Sequence, residues 1–450
     1  MIKKKPILLS PAGTLEGLKT AILYGADAVY CGLPTFSLRK RSGMTLEDIK
    51  AGVKFVHNSN KKIYIALNLF AQEKDFAVLP KTLELIGDLN VDGIIIADPA
   101  IFDLVKTHLP NIDIHISTQA NVNSSLGVHF WKKMGATLCV LAREVSFEEF
   151  KEIRRKCPDI KLEIFVHGAM CMAYSGRCLL SNFMEGRFSN KGHCSNECRK
   201  KYTTYIKRED SEELYPLIED DDTTQRGSSI MNSKDLCLMP HIKEIIESGV
   251  DAVKIEGRTK SEYYVGLTTY AYRQAIDSYF NSPVNFDFKP FMKILDTLQN
   301  RGYTTAFFNN SGADKSQFYD STSSISSMRV VGVVNLFSEE GLELILKNYV
   351  EIDDIIHFIV PRQNKKISIK LERIINYRNK KDVEKLSAGA DGASIFIPFS
   401  IFTEQLDIST EDIKKLLPTL TLAQKEFPLT DLEEDFLSRR QKEFIQENKI

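Results

Sequence analysis

Half of the chain's eight cysteines fall in one stretch, residues 163–202: Cys171, Cys178, Cys194 and Cys198. Their spacings are C-x6-C, then fifteen residues, then C-x3-C. Thiols gathered in this way can form disulfides, bind zinc or hold an iron–sulfur cluster. Zinc knuckles usually use tighter C-x2-C pairs. Four thiolates around a cluster need only converge on its corners, so irregular spacing suits one. Cys237 lies close enough in sequence to replace Cys198 as the fourth ligand. His167, four residues before Cys171, could instead make a thiolate–imidazole pair of the kind cysteine proteases use. Gly168 argues for a turn there, and no HExxH or GxSxG sequence is present.

Composition narrows the setting. The 450 residues carry 26% charged and 43% hydrophobic side chains with a net charge of −1, ordinary for a globular protein with a large core. Near-neutral charge gives no general pull toward nucleic acid, so such binding would need local basic patches. No apolar run is long enough to span a bilayer. The start, MIKKKPILLSPAG, runs straight into a predicted strand rather than a signal peptide. A cytoplasmic location is expected, where clustered cysteines bind metal or do redox chemistry more often than they form disulfides. Nothing in the sequence sets an oligomeric state.

The elements that must position these thiols alternate regularly. Strands are predicted at Ile7–Ser10, Asp27–Cys31, Ile63–Asn68, Gly93–Ala97, Asp113–Ser117, Thr137–Leu141, Leu162–Val166 and Ala252–Ile255. Amphipathic segments lie between most of them, the first capped by Thr14. Eight such units predict an α/β chain folded as a (β/α)8 TIM-like barrel with a Cys-rich insertion after strand 7. That insertion also holds an acidic run (Glu209 to Glu213, Glu219 to Asp222), read as a solvated loop. The barrel is expected over residues 1–283, a helical connection over 284–328, a small β-barrel-like domain over 329–402 and a charged helical tail over 403–450.

Barrel enzymes work at the C-terminal ends of their strands. Here those ends carry Asn68, Asp98, Thr118, Gln119, Arg143, Glu144, His167, Glu256 and Arg258. His167, Glu144 and Glu256 are the candidate acid–base groups. Arg143, Arg258, Gln119 and Asn68 are the candidate substrate contacts, and the two guanidinium forks suit an anionic ligand. A ring of structural ion pairs is the competing reading of the same residues.

The stretch Glu163-Ile-Phe-Val-His-Gly-Ala-Met-Cys-Met-Ala-Tyr-Ser-Gly-Arg-Cys-Leu-Leu-Ser181 closely resembles the signature of the collagenase-like peptidase U-32 family. Leu9–Gly13, Gly25–Tyr30, Ser117–Gln119, Met231–Leu236 and Lys254–Ser261 match it as well. Within that family the chain looks most like the tRNA hydroxylation branch. The resemblance implies a hydroxylase that makes 5-hydroxyuridine at the wobble position of tRNA and requires prephenate as a small anionic co-substrate. It also implies a 4Fe–4S cluster on Cys171, Cys178, Cys194 and Cys198. The family name implies the alternative, a peptidase. On the hydroxylase reading, the anticodon loop of tRNA is the partner, and Arg39–Arg41 and Arg199–Lys201 would touch its backbone. In the C-terminal domain His357 stands near the place of an acid common in the family, which weakens transfer of function to that part.

Overall fold

A computed structural model describes residues 4–33, 44–200, 202–203, 205–216, 231–309, 325–389 and 393–447. Arg39–Arg41, Lys201 and the acidic residues 219–222 lie outside them.

The barrel strands are β1 (Ile7–Pro11), β2 (Ala28–Gly32), β3 (Lys62–Leu67), β4 (Gly93–Ile96), β5 (Asp113–Ile116), β6 (Leu138–Val140), β7 (Lys161–Ala169) and β8 (Ala252–Ile255). Each pairs in parallel with the next, and β8 pairs with β1 through Ile7 opposite Ala252, which closes the barrel. The strands read as apolar runs because both their faces are covered. Helices form where a cap meets an apolar stripe. Thr14 accepts from Gly17 N at the head of the Leu15–Leu23 helix, and that helix buries Leu18, Ala21 and Ile22. Thr45 with Asp48, and Ser146 with Glu149, close capping boxes at two later helices.

The top of β7 departs from a regular barrel. Pairing with β8 steps from Phe165 opposite Lys254 to His167 opposite Ile255, so Val166 is an extra residue, a bulge. Beyond it, residues 167–169 leave the barrel and pair antiparallel with the short strand Asp235–Cys237. That strand in turn carries Tyr303–Thr304 on its other side. Neither short strand was expected; one lies in the Cys-rich insertion and the other in the stretch expected as a helical connection.

The C-terminal sheet is antiparallel and eight-stranded, with Leu422–Glu426 between Ile355–Ile359 and Met328–Phe337. The expected helical tail over 403–450 is thereby corrected. It contains the helices Thr410–Leu416 and Asp431–Glu447, with this strand between them. Its Gln424 and Lys425 look like a solvated stretch, yet both are buried. Lys425 Nζ reaches Asp354 at 2.6 Å, and Gln424 Oε1 accepts from Tyr263.

One buried hydroxyl joins the sheet to the barrel. Tyr24 Oη donates to Ile359 O at 2.9 Å and accepts from Leu422 N at 2.8 Å. Removing it leaves two buried backbone groups unpaired. Tyr24→Phe should therefore cost about 2 kcal/mol in denaturant unfolding; a loss near zero would show that water replaces the hydroxyl.

Candidate active site at the barrel mouth

The barrel floor is polar in spite of its burial. Lys254 Nζ lies 2.9 Å from Glu163 Oε1, and both side chains are almost fully enclosed. The ammonium also stands over the rings of Tyr30 (4.5 Å) and Phe165 (5.4 Å). His115 packs on Tyr64 at 4.5 Å, and burial together with the nearby Lys254 pushes its imidazole down to about 3. Removing one partner of such a pair strands a buried charge, at a cost of roughly 3–5 kcal/mol. Neither Lys254 nor Glu163 was among the expected site residues; both lie before the strand ends, where sequence gives no sign of an inward charge.

Above this floor opens a cleft of about 790 Å³ including its entrance. Asn68, Gln119, Arg143, Glu256 and Arg258 line it together with Cys171, Cys178 and Cys194. Eight of the expected site residues therefore meet in one place. Arg143 is held on three sides: Nη1 donates to Ala169 O at 2.7 Å, Nη2 lies 3.5 Å from Glu256, and the guanidinium stacks 4.1 Å from the Phe165 ring. The side-chain oxygens of Asn68 and Gln119 are buried with no hydrogen-bond partner. Gly176, in a left-handed conformation, lets the cysteine loop press on the Gln119 amide, where a Cβ would collide.

That loop is tied over the mouth. Arg177 Nε donates to Gln119 O at 3.1 Å and stands over Phe70, and Lys191 bridges to Asp75 at 2.6 Å. All eight cysteines are free thiols. Burial raises the Cys198 thiol; Cys171, Cys178 and Cys194 each add to the rise, while Arg199 opposes it. The other three thiols thus each lie within electrostatic reach of Cys198. Backbone N of Leu180 donates to Cys178 Sγ at 3.4 Å, and Ser181 Oγ to Cys194 Sγ at 3.8 Å. Among the described residues no three His, Cys, Asp or Glu groups are drawn tightly enough for a single ion. Cys171, Cys178 and Cys194 share the cleft lining, with Cys198 behind it, and an all-thiol donor set of this kind suits a cluster of several metals. Cys237 is not part of it: buried beside Tyr272 and Met292, its thiol is pushed up to about 12.

Several expectations need correction. The bulge at Val166 turns His167 away from the mouth, and its ring packs among Tyr264, Tyr272 and Tyr303 at 5.5–6.0 Å. His167 makes no hydrogen bond to Cys171 among the described residues, so the protease-like pair is not formed. Glu144 follows Arg143 in a turn where only one of the two faces the cleft; one Glu144 oxygen is enclosed without a partner outside the cleft lining. Asp98 caps the Pro99–His108 helix, whereas Thr118 does line the cleft, with its hydroxyl donating to Leu141 O. Lys200, half exposed, is ion-paired with Glu185 and Glu197.

The molecule is a (β/α)8 barrel whose mouth is cationic, amide-lined and roofed by a four-thiol loop. Peptidase family U32 matches residues 13–317, and the chain belongs to that family. It is 37% identical to the tRNA hydroxylation protein P of Haemophilus influenzae, over 87% of this chain and 93% of that one. It is 40% identical to the tRNA hydroxylation protein P1 of Bacillus subtilis, over 80% and 85%. It is also 34% identical to the 23S rRNA 5-hydroxycytidine C2501 synthase of Escherichia coli, over 60% of this chain and 39% of that one. No helix among the described residues is long and apolar enough to cross a membrane.

The His167 environment has a consequence for stability. Burial pushes this imidazole from its ordinary 6.5 down to about 4. Between those values the unfolded chain binds a proton that the folded chain refuses. Stability is thus complete above about pH 6.5 and falls as pH drops toward 4. His167→Gln should remove about 3 kcal/mol of the acid-induced loss between pH 7 and pH 4. An unchanged slope in denaturant titrations would contradict a neutral buried imidazole.

Proposed function

We propose that this chain is an RNA hydroxylase that converts the wobble uridine of tRNA to 5-hydroxyuridine, with prephenate as its small anionic co-substrate. The names of its relatives support RNA hydroxylation as the class of reaction. The observation that carries the finer reading is the pair of buried, unpartnered amide oxygens of Asn68 and Gln119 beside two guanidinium groups in one cleft.

A buried acceptor without a partner is costly, and a ligand N–H regains that cost. Uracil presents one N–H between two carbonyl oxygens, an edge that two carboxamides can read with their oxygens and N–H groups together. A base must leave its stack to enter, and the single-stranded anticodon loop yields one cheaply. Arg143, already fixed by Ala169 O, Glu256 and Phe165, presents a preorganised fork to a carboxylate, and Arg258 lines the same cleft. Lys254 on the floor adds positive potential, while Glu163 offsets its charge in the absence of ligand. Glu256, half-enclosed beside Arg143, is the acid–base candidate that remains at the mouth, since His167 and Glu144 face elsewhere.

Cys171, Cys178, Cys194 and Cys198 would hold a 4Fe–4S cluster, which supplies one-electron transfer at the edge of the same cleft. The loop that carries them also covers the mouth and limits access of water to it.

The test is the nucleoside content of tRNA from cells lacking this gene and complemented with variants. The wild-type gene should restore a uridine one oxygen heavier at the wobble position. Arg143→Gln and Gln119→Leu should each reduce it roughly tenfold to a hundredfold, the worth of one charge-assisted or buried contact. Gelatin cleavage by the purified protein with no change in tRNA would overturn the proposal in favour of a peptidase.

A further inference from the structure

A second cavity of about 1400 Å³, counting its open side, abuts the cleft and shares Cys194, Glu256 and Arg258 with it. Arg187, Arg199 and Lys260 also line it, so with Arg258 four cations face one carboxylate. That carboxylate, Glu256, is already 3.5 Å from Arg143. Lys260 forms no ion pair among the described residues and lies over the Tyr264 ring at 5.1 Å. Arg187 has Glu185 at 3.4 Å and is half exposed. The site described above uses neither Arg187 nor Lys260.

The backbone adds to this field. Gly13 and Thr14 line the groove at the head of the Leu15–Leu23 helix, and Ser261, next to Lys260, caps the twenty-residue Glu262–Asn281 helix. Two helix starts and four cations make a field for anions. Glu262 stands at the edge, where it accepts from Thr14 Oγ1 at 3.1 Å. The groove is wide, open and polar, which suits an extended chain of charges better than a small buried anion. Only a ridge made by Glu256, Arg258 and Cys194 divides it from the cleft.

We propose that this groove holds the phosphodiester backbone of the single-stranded RNA whose base enters the cleft, with Arg187 and Lys260 as phosphate contacts. The proposal rests on the RNA-hydroxylase reading and adds to it where the strand lies. The ridge is the point at which one nucleotide turns its base inward while its neighbours stay in the groove. Its carboxylate keeps a phosphate from slipping over into the cleft.

The experiment measures binding of a fluorescently labelled RNA hairpin with uridine in its loop, by anisotropy, across a salt series. Wild type should bind with a steep inverse salt dependence. Arg187→Gln and Lys260→Gln should each weaken binding several-fold at about 0.1 M salt and flatten the log–log slope by about 0.7. Lys385→Gln, in the short strand paired with Val350–Glu351, should change neither. Arg187→Lys and Lys260→Arg should keep the wild-type slope, which separates lost charge from lost fold. Slopes unchanged in both Gln variants, with wild type binding normally, would overturn the groove and leave the RNA reading standing. Wild type that fails to bind the hairpin at low salt would overturn both.

Discussion

The site depends on one irregularity at the top of β7. With Val166 inserted, the inward alternation that carries Glu163 and Phe165 stops, and His167 turns into the layer under the Glu262–Asn281 helix. Gly168 then adopts a left-handed conformation with φ +118°, and a Cβ there would collide with the Glu256 carbonyl oxygen. Only glycine allows that approach. Glu256 N donates back to His167 O at 2.8 Å, so the ends of β7 and β8 stay locked while the chain peels away to pair with Asp235–Cys237. From there Met170 and Cys171 run across the mouth. The bulge and the glycine together place a cysteine loop over a barrel that would otherwise be open.

Electrostatics make the second layer of the design. In the interior a lone ammonium is costly to bury, and the ion pair with Glu163 offsets that cost for Lys254 on the floor. Arg143 keeps its place through a carbonyl, a carboxylate and a ring, which leaves its fork oriented before any ligand arrives. The cleft therefore holds Lys254, Arg143 and Arg258 against Glu256, with Glu163 already engaged below. Such a balance favours an anion at the mouth. Arg199 works in the same sense at the loop, where it opposes the rise that burial imposes on the Cys198 thiol.

Much of this was legible in the sequence, for physical reasons. Each barrel strand is buried on both faces, so it reads as a short β-branched run, and each is followed by a turn or cap residue such as Thr14 or Asp98. The rim residues could be named because a parallel barrel puts every strand end on one face. What could not be read were features set by distant partners. A bulge leaves no mark in apolar periodicity, so His167 was placed in the mouth. Lys254 and Glu163 lie ninety-one positions apart and make sense only when β7 meets β8. Gln424 and Lys425 looked solvated because Tyr263 and Asp354, which pay for their burial, lie elsewhere in the chain. The three-residue strand Asp235–Cys237 is too short to show a period at all.

The most direct measurement is an anaerobic ultraviolet–visible spectrum with iron, sulfide and zinc analysis, on the wild-type protein and on Cys171→Ala, Cys198→Ala and Cys237→Ala. A cluster on the four thiols of the mouth predicts a broad charge-transfer absorbance with iron and sulfide in equal amounts. It predicts loss of that absorbance in Cys171→Ala and Cys198→Ala and its retention in Cys237→Ala. A colourless protein carrying zinc, or a spectrum lost with Cys237 and kept without Cys198, would contradict the account.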